Sequence, residues 1–285
     1  MNDDVSPRSF GHTLDDAGFA QIRDLVYQHF GIVLSEQKRG LVVGRLQRVL
    51  RDRGLTNFRD YIDLLLADKN GSLLAELANR MSTNHTHFWR EPAHFLVFRE
   101  SVLPWVQQVS PQRDLRLWCA AAATGEEPWT LAMIQRQFFA ENYRHWQAGL
   151  VATDISEPAL CIAEKGVYDN DRVQPLPQDL RALGMETMGG GRWRIRDEMR
   201  KDVMYRRFNL MAEKLPFKHP FHCIFIRNVM IYFDQDTRRR LIARLVNSLL
   251  PGGWLFVGHS ESLGRDDANL EYVSPAVYRR KSESQ

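Results

Sequence analysis

Small and polar residues follow three apolar runs of the sequence, in positions where they could bind a ligand. The small-residue segment 120–125, AAAATG, comes at the end of the first run, and Asp154 comes after the second. Arg227 and Asn228 come after the third. Open α/β sheets bind their ligands at the carboxyl ends of the strands. The three segments therefore predict one ligand pocket.

The first segment indicates what kind of ligand this pocket would take. Segment 120–125 has one glycine, Gly125, so it is not a GxGxxG dinucleotide fingerprint, and it lacks a P-loop lysine. Glu126 and Glu127 follow at the predicted helix start, where they would repel a pyrophosphate but suit a cationic or hydroxyl-rich ligand. These features favour S-adenosylmethionine (SAM) over a dinucleotide. An ordinary strand-to-helix turn with acidic residues at the helix N-terminus is the alternative.

The other two segments add polar side chains to the same pocket. A carboxylate at the tip of the second strand commonly accepts hydrogen bonds from ribose hydroxyls, which is the predicted role of Asp154. Its alternative is a turn or helix-capping residue. Arg227, Asn228 and Tyr232 are expected to line the pocket mouth, although capping by Asn228 and packing by Tyr232 would explain the same residues.

The elements that would position these residues follow from the apolar pattern. From about residue 115, short apolar runs alternate with amphipathic stretches, which predicts an α/β fold with a parallel sheet. The expected strands cover 115–119, 150–153, 223–226 and 254–257, with two later strands at 270–273 and 276–279. The expected helices of this region cover 128–140, 157–165 and 236–250.

The chain is expected to have more than one domain. Residues 1–80 show apolar residues at helical spacing with glycine breaks, which predicts about four short helices. Residues 81–114 form a linker and helix, and residues 115–285 form the α/β domain. Within it, residues 166–205 interrupt the alternation with a GGG turn and the alternating segment WRIR, which predicts a small inserted β-subdomain.

Composition limits the class of protein. The chain has 285 residues, of which 44% are apolar and 26% charged, enough for a sizeable core. Its three cysteines are far apart and form no CxxC pair, which argues against a disulfide framework and favours the cytoplasm. No secretory signal or apolar run of about 18 residues is seen, so no membrane insertion is expected. His85, His87 and His259 have no metal-ligand spacing, and no metal is expected.

Six segments together resemble the CheR family of chemotaxis receptor methyltransferases. They occur in the family's order and cover most of the chain from about residue 15 to 280. They are STNHTHFWRE at 82–91, AAATGEEP at 121–128, TDI at 153–155, FNL at 208–210, RNVMIYF at 227–233 and GHSES at 258–262. The resemblance implies a SAM-dependent methyltransferase (Rossmann-like) sheet, an N-terminal helical receptor-contact domain and a small antiparallel β-subdomain.

The resemblance also implies the reaction and its residues. The family transfers a methyl group from SAM to glutamate side chains of chemotaxis receptors and leaves S-adenosylhomocysteine (SAH). Its methyl-transfer site corresponds to Arg90 and Tyr232. Trp89 departs from the frequent phenylalanine or tyrosine, and Ala123 from the common serine. The implied cofactor contacts are Asn84, Thr86, Arg90, Glu127, Asp154, Asn209, Leu210, Arg227 and Asn228.

Two surfaces are candidates for binding the receptor. Arg45, Arg48 and Arg51 lie on one side of a predicted helix and could dock an acidic receptor helix, with a solvated face as the alternative. Residues 1–80 hold 11 Lys and Arg against 11 Asp and Glu, which argues against nucleic acid as a partner. Some family members bind a receptor C-terminal tail peptide on the β-subdomain by strand addition. The alternative is that the GGG turn and the WRIR segment form an ordinary β-hairpin that binds no peptide.

Two other functions remain open from the sequence. One is a SAM-binding regulatory or scaffold protein without turnover. The other is a SAM-dependent methyltransferase that acts on nucleic acid or on a small molecule.

Overall fold

The chain divides into two compact units, Met1–Ser82 and Thr83–Gln285. The structure is a computed structural model that describes residues 13–264 and 268–282. Across those residues, we find no helix with both the length and the apolar character needed to cross a membrane.

The first unit is built from helices whose ends follow the sequence signals. Asp15 caps α1, because its carboxylate accepts a hydrogen bond from the Gly18 N–H at 2.8 Å, and α1 ends where Gly31 takes a left-handed φ of 68°. The core of this unit includes fully buried Phe19 and Leu46. The helices are α1 (Asp16–Phe30), α2 (Arg39–Asp52), α3 (Phe58–Leu66) and α4 (Ser72–Met81).

The second unit contains a seven-stranded and a three-stranded sheet. Its strands are β1 (Asp114–Ala120), β2 (Gln147–Asp154), β3 (Val167–Asp169), β4 (Met185–Gly189), β5 (Arg192–Ile195), β6 (Val203–Arg207), β7 (Phe221–Ile226), β8 (Leu249–Val257), β9 (Leu270–Ser274) and β10 (Val277–Arg280). Its helices are α5 (Pro92–Val97), α6 (Leu103–Val109), α7 (Glu126–Phe139), α8 (Glu157–Lys165), α9 (Asn170–Val173), α10 (Gln178–Gly184), α11 (Asp197–Arg200) and α12 (Gln235–Asn247).

The large sheet has the order β6-β2-β1-β7-β8-β10-β9. The pairs from β6 to β8 are parallel, and β10 runs antiparallel to both of its neighbours. Numbered in chain order within this sheet alone, the strands have the order 3-2-1-4-5-7-6. The dinucleotide-binding sheet has the order 3-2-1-4-5-6, so this sheet has one additional strand next to its last one. The strand order reverses at β1, which lies between β2 and β7. This reversal places the crevice of the sheet at the carboxyl ends of those three strands.

The three-stranded sheet is the predicted small antiparallel subdomain, with β5 between β3 and β4. The WRIR segment is β5, and the glycine turn before it has φ values of 81°, 60° and 73°. Such left-handed values favour glycine.

One element inside the predicted subdomain belongs elsewhere. The sequence predicts a small β-subdomain at about 166–205, but β6 (Val203–Arg207), which overlaps the end of this range, pairs with β2 at the edge of the large sheet. Only Val203 and Tyr205 of this strand are buried, and the rest is exposed and includes two arginines. A short, half-polar edge strand has no long apolar run, so its sequence did not predict it. The expected helix 236–250 also ends earlier, at Asn247, because Leu249 and Leu250 begin β8.

A buried histidine in β7 makes the stability of this unit depend on pH. His222 Nδ1 accepts a hydrogen bond from the Arg116 N–H at 3.1 Å, so it must be unprotonated there. Burial, and then the charge of Arg116, lowers the pKa of His222 to about 4. In the unfolded chain a histidine binds its proton near pH 6.5. Between these values the unfolded state holds more protons, so stability is lost as the pH falls from 6.5 towards 4.

We expect the urea midpoint to fall between pH 7 and pH 5, and to fall less in His222→Asn, whose amide oxygen can still accept the Arg116 N–H. Urea titrations of both proteins at the two pH values measure this. His219→Asn, at an exposed site nearby in the chain, is the matched control. An unchanged pH dependence in His222→Asn would exclude His222 as the responsible group.

Candidate functional site

The loop after β1 lies against the end of β2. The N–H groups of Ala121 and Ala122 both donate to the Thr153 carbonyl, at 2.8 and 2.9 Å. Gly125 has a φ of 96°, and a Cβ there would lie 2.7 Å from the Ala163 Cβ and 2.8 Å from the Tyr168 hydroxyl. Glycine is therefore required at 125, and the small residues before it leave the loop backbone open to a ligand.

Asp154 lies where β2 ends, and only 8% of it is exposed. Its two oxygens accept one backbone N–H each, from Ala123 and from Ser156, both at 2.8 Å. Burial raises the pKa of Asp154, and these hydrogen bonds oppose the rise. A carboxylate has about four acceptor positions. Asp154 thus stabilises the turn after β2, which is the role that the alternative interpretation of this residue predicted. Its remaining acceptor positions could still accept hydrogen bonds from a ligand's hydroxyl groups.

The two adjacent glutamates at the start of α7 face different parts of the protein. Glu126 is fully buried, accepts the Thr124 hydroxyl at 2.7 Å and pairs with Arg172 of α9. Burial raises its pKa, and the Thr124 hydroxyl and the Arg172 charge oppose this. Glu127 instead lies 2.6 Å from Arg227 Nη1. Of the two, Glu127 is the one beside other predicted pocket residues.

Arg227 holds several site residues together. Its side chain is 1% exposed, and it donates to Glu127 Oε2 at 2.6 Å, to Glu91 Oε2 at 3.1 Å and to the Arg90 carbonyl. The guanidinium also lies 5.3 Å from the centre of the Phe95 ring. In this arrangement a buried cation is shared by two carboxylates, and its donors point to protein groups rather than to open space.

Glu91 is a site residue that the sequence analysis did not single out. Its Oε1 accepts from Asn228 Nδ2 at 3.2 Å. Burial alone would raise its pKa, but the Arg227 charge and then the Asn228 amide keep the pKa below its usual value. Glu91 and Asn228 both have left-handed backbone, with φ of 57° and 58°. The available signal was an acidic residue between Arg90 and the proline that begins α5, but nothing in the sequence paired it with Arg227.

The segment 84–90 approaches the same edge of the sheet. Asn84 Nδ2 donates to Ser156 Oγ at 3.1 Å, which brings Asn84 beside the Asp154 turn. Arg90 Nη1 donates to the His85 carbonyl at 2.9 Å, so the segment folds back on itself. Thr86 lies between them and is partly buried.

Asn209 and Leu210 follow β6 at this edge. The Phe208 N–H donates to the Asp154 carbonyl at 2.9 Å, and Asn209 Oδ1 accepts the Met211 N–H at 3.0 Å. Arg244 of α12 donates to the Leu210 carbonyl at 2.6 Å. The predicted residues of this segment are therefore anchored between β2 and α12.

Glu261 is the second residue that sequence reasoning missed. It is 3% exposed, and its carboxylate accepts the N–H groups of Asn228 at 2.6 Å, Gly258 at 2.8 Å and Ile231 at 3.1 Å. These bonds fix the loop that leads from β7 into a short 3-10 helix, Met230–Tyr232. Tyr232 is partly buried at the end of that helix. Glu261 belongs to the GHSES segment, whose letters alone do not reveal three backbone donors around one side chain.

The nine predicted cofactor residues all lie in the second unit, on segments linked by the contacts above. The carboxylates of Asp154 and Glu127 lie beside the small-residue loop, and such groups suit a ligand with hydroxyl and cationic groups such as SAM.

Comparison with known proteins identifies the family. Residues 17–82 match the family model described as CheR methyltransferase, all-alpha domain, and residues 84–278 match the one described as CheR methyltransferase, SAM binding domain. The chain belongs to the CheR methyltransferase family. The resemblance seen in the six sequence segments is thereby confirmed, as are the SAM-binding methyltransferase fold and its helical N-terminal domain.

Relatives of this CheR-family protein are similar over nearly their whole length. A chemotaxis protein methyltransferase of Borreliella burgdorferi is 38% identical over 259 residues, which cover 90% of this chain and 91% of the relative. One of Escherichia coli is 37% identical over 270 residues, which cover 93% of this chain and 91% of the relative.

Proposed function

We propose that this protein transfers a methyl group from SAM to glutamate side chains of chemotaxis receptors in the cytoplasm, without a metal in the reaction. The observation that carries the proposal is the family match over both units, combined with a carboxylate of spare acceptor capacity, Asp154, at the switch point of the sheet. Asp154 would accept the ribose hydroxyls, and Glu127 would face the cationic end of SAM. Asn84, Thr86, Asn209, Leu210, Arg227 and Asn228 complete the proposed cofactor contacts.

Methyl transfer to a glutamate requires alignment of the reacting atoms but no general base. A glutamate with a pKa near 4.3 is already ionised at neutral pH, and its oxygen attacks the methyl carbon while the carbon–sulfur electron pair passes to sulfur. The site must align oxygen, carbon and sulfur and remove water from the carboxylate. Opposite charges are neutralised in this step, so a strong ion pair to the attacking oxygen would stabilise the ground state instead. Tyr232 therefore orients the glutamate by a neutral hydrogen bond, and Arg90 holds the SAM carboxylate or the second glutamate oxygen.

Receptor membranes and SAM carrying a labelled methyl group test this function. The expected result is labelled receptor that releases methanol in base, as a carboxyl ester does. Label that is stable to base, or label found on nucleic acid or a small molecule, would favour one of the other methyltransferases. Cofactor binding with no label on any acceptor would favour a scaffold protein.

In the same assay, Tyr232→Phe should lower kcat about 10-fold or more and leave SAH affinity unchanged, because an aligning contact is lost from the reacting geometry but not from the cofactor. Tyr27→Phe, an exposed tyrosine in α1, is the matched control. Full activity in Tyr232→Phe would remove Tyr232 from the methyl-transfer site.

The proposed receptor-docking face of α2 consists of Arg48 and Arg51. Both are exposed, but Arg45 Nη1 donates to the carbonyls of Arg80, Met81 and Ser82, at 3.2, 2.8 and 3.2 Å. Arg45 thereby satisfies the carbonyls at the end of α4, so it supports the fold of this unit. An acidic helix that carries the substrate glutamates is the chemistry that the remaining two arginines fit.

Reversing both charges in Arg48→Glu/Arg51→Glu should raise KM for receptor about 10-fold, since two exposed pairs are together worth about 1.4 kcal/mol. Steady-state kinetics at low and high salt measure it, and the difference should shrink at high salt. Arg59→Glu, an exposed arginine in α3, is the control. An equal effect of both changes would indicate unspecific charge repulsion and would contradict the docking face.

The three-stranded sheet is the proposed site for a receptor tail peptide. β3 and β4 are its outer strands, and an extended peptide could pair with one of them. Pulldown with receptor tail peptides tests this when the hairpin 185–195 is replaced by a flexible linker, with SAH binding as the control for folding. Undiminished capture would place the peptide elsewhere.

A further inference from the structure

Three side chains from two distant parts of the chain meet beside the proposed cofactor pocket. They are Glu91 and His94, at the start of α5, and His259, which follows β8. One ligand atom from each lies within 4.8 Å of the others. None of the three has a role in the proposed reaction.

His94 is the fully buried member of this cluster. The ring is 1% exposed, and Nδ1 has no hydrogen-bond partner among the residues that the structure describes. Nδ1 nevertheless lies 3.3 Å from Glu91 Oε2, and Nε2 lies 3.4 Å from the Pro275 carbonyl. The ring therefore faces an acceptor on each side.

A neutral imidazole has one proton and cannot serve both acceptors. When Nε2 donates to Pro275, the Nδ1 lone pair points at the ionised Glu91 carboxylate. Two facing lone pairs repel each other unless a cation lies between them.

We propose that Glu91, His94 and His259 form a site for a divalent transition-metal ion, for which Zn²⁺ fits best. Zinc takes nitrogen and carboxylate ligands at about 2.0 to 2.2 Å in a tetrahedron, which sets neighbouring ligand atoms about 3.3 Å apart. The separation of His94 Nδ1 and Glu91 Oε2 is already 3.3 Å. His259 is exposed, so its ring can turn to complete the site and leave the fourth position to water.

The groups around the three ligands are those that metal sites use as outer partners. The Pro275 carbonyl accepts the far nitrogen of His94, which selects the tautomer with a free Nδ1 lone pair. Arg227 and Asn228 donate to the Glu91 oxygens at 3.1 and 3.2 Å and so orient the carboxylate. The two negative charges of Glu91 and Glu127 exceed the single positive charge of Arg227 between them. The surroundings of the three proposed ligands can therefore accept a cation.

A bound ion would tie the turn at 89–94 to the loop at 258–262. Both segments bind Asn228. Glu91 accepts a hydrogen bond from the side-chain amide of Asn228, and Glu261 accepts one from its backbone N–H at 2.6 Å. Metal binding would therefore stiffen one wall of the cofactor crevice without taking part in methyl transfer.

Calorimetry of the full chain, free of affinity tags, with Zn²⁺ tests the site. We expect one ion per chain, binding weakened at least 10-fold in His259→Asn, and unchanged binding in the control His219→Asn. Cobalt(II) should give the visible absorption of a tetrahedral complex, lost in His259→Asn. His94→Gln should abolish both signals, and SAH binding checks that this buried variant folds.

Zinc binding equal in wild type and His259→Asn, or the absence of a tetrahedral cobalt spectrum, would overturn the proposal. Because these readouts do not depend on methyl transfer, the metal site and the proposed enzymatic function can fail separately.

Discussion

Replacing Asp154 with asparagine is expected to weaken the binding of SAM and SAH about 10- to 100-fold. A hydrogen bond to a charged group is worth about 1.5–3 kcal/mol, and each 1.4 kcal/mol is a factor of ten in affinity. The asparagine amide would also turn an N–H₂ group towards the N–H of Ala123 or Ser156, which Asp154 now accepts at 2.8 Å. Calorimetry with SAH measures the loss.

A cofactor analogue separates the ribose role from the role in the turn. A 2′-deoxy analogue of SAH should bind wild type less well than SAH does, and this penalty should be smaller in Asp154→Asn. Asp169→Asn, at the exposed aspartate that ends β3, is the matched control. If the variant shows the full penalty for the missing hydroxyl, Asp154 acts through the loop alone and the ribose assignment fails.

Replacing Arg227 with methionine should lower the free energy of unfolding by about 3–5 kcal/mol. The change keeps much of the side-chain volume but leaves Glu91 and Glu127 as half-buried carboxylates without their cation, and breaking one side of a buried ion pair has this cost. The neighbouring Arg90 carbonyl also loses its donor. Urea denaturation at pH 7 measures the change.

Two further variants identify the cause of that loss. Arg239→Met removes an arginine whose side chain is 73% exposed and should change stability by less than about 1 kcal/mol. Adding Glu91→Gln and Glu127→Gln to Arg227→Met should restore part of the stability, since no unpaired charge remains. If Arg227→Met lowers the free energy of unfolding by less than about 1 kcal/mol, the ion pairs of Arg227 with Glu91 and Glu127 are exposed to water in solution.

The parts of the fold that could be predicted are those with local signals. Continuous apolar runs predicted β1, β2, β7 and β8, because a parallel strand covered on both faces must be apolar along its length. The edge strand β6 lacks such a run and was not predicted as a strand. In the site, residues at strand ends were predictable because polar groups after a buried strand can only lie at the edge of the sheet.

The partners of those residues could not be predicted in the same way. Arg45 has the spacing of a docking residue but binds the carbonyls at the end of α4. Glu126 and Glu127 are neighbours in sequence, yet one pairs with Arg172 and the other with Arg227. Which partner each glutamate contacts depends on how the whole domain packs around the start of α7. No local sequence pattern predicts that packing.

The sequence by itself determined the family, the α/β class, the helical first domain and the edge of the sheet where a ligand would bind. These depend on apolar periodicity and on motifs that are contiguous in the chain. Only the tertiary structure decided that Glu91 and Glu261 hold the loop at Asn228, and that Glu91, His94 and His259 meet. Charge pairing acts through distance in space, so residues far apart in the chain become partners only once the strands are in order.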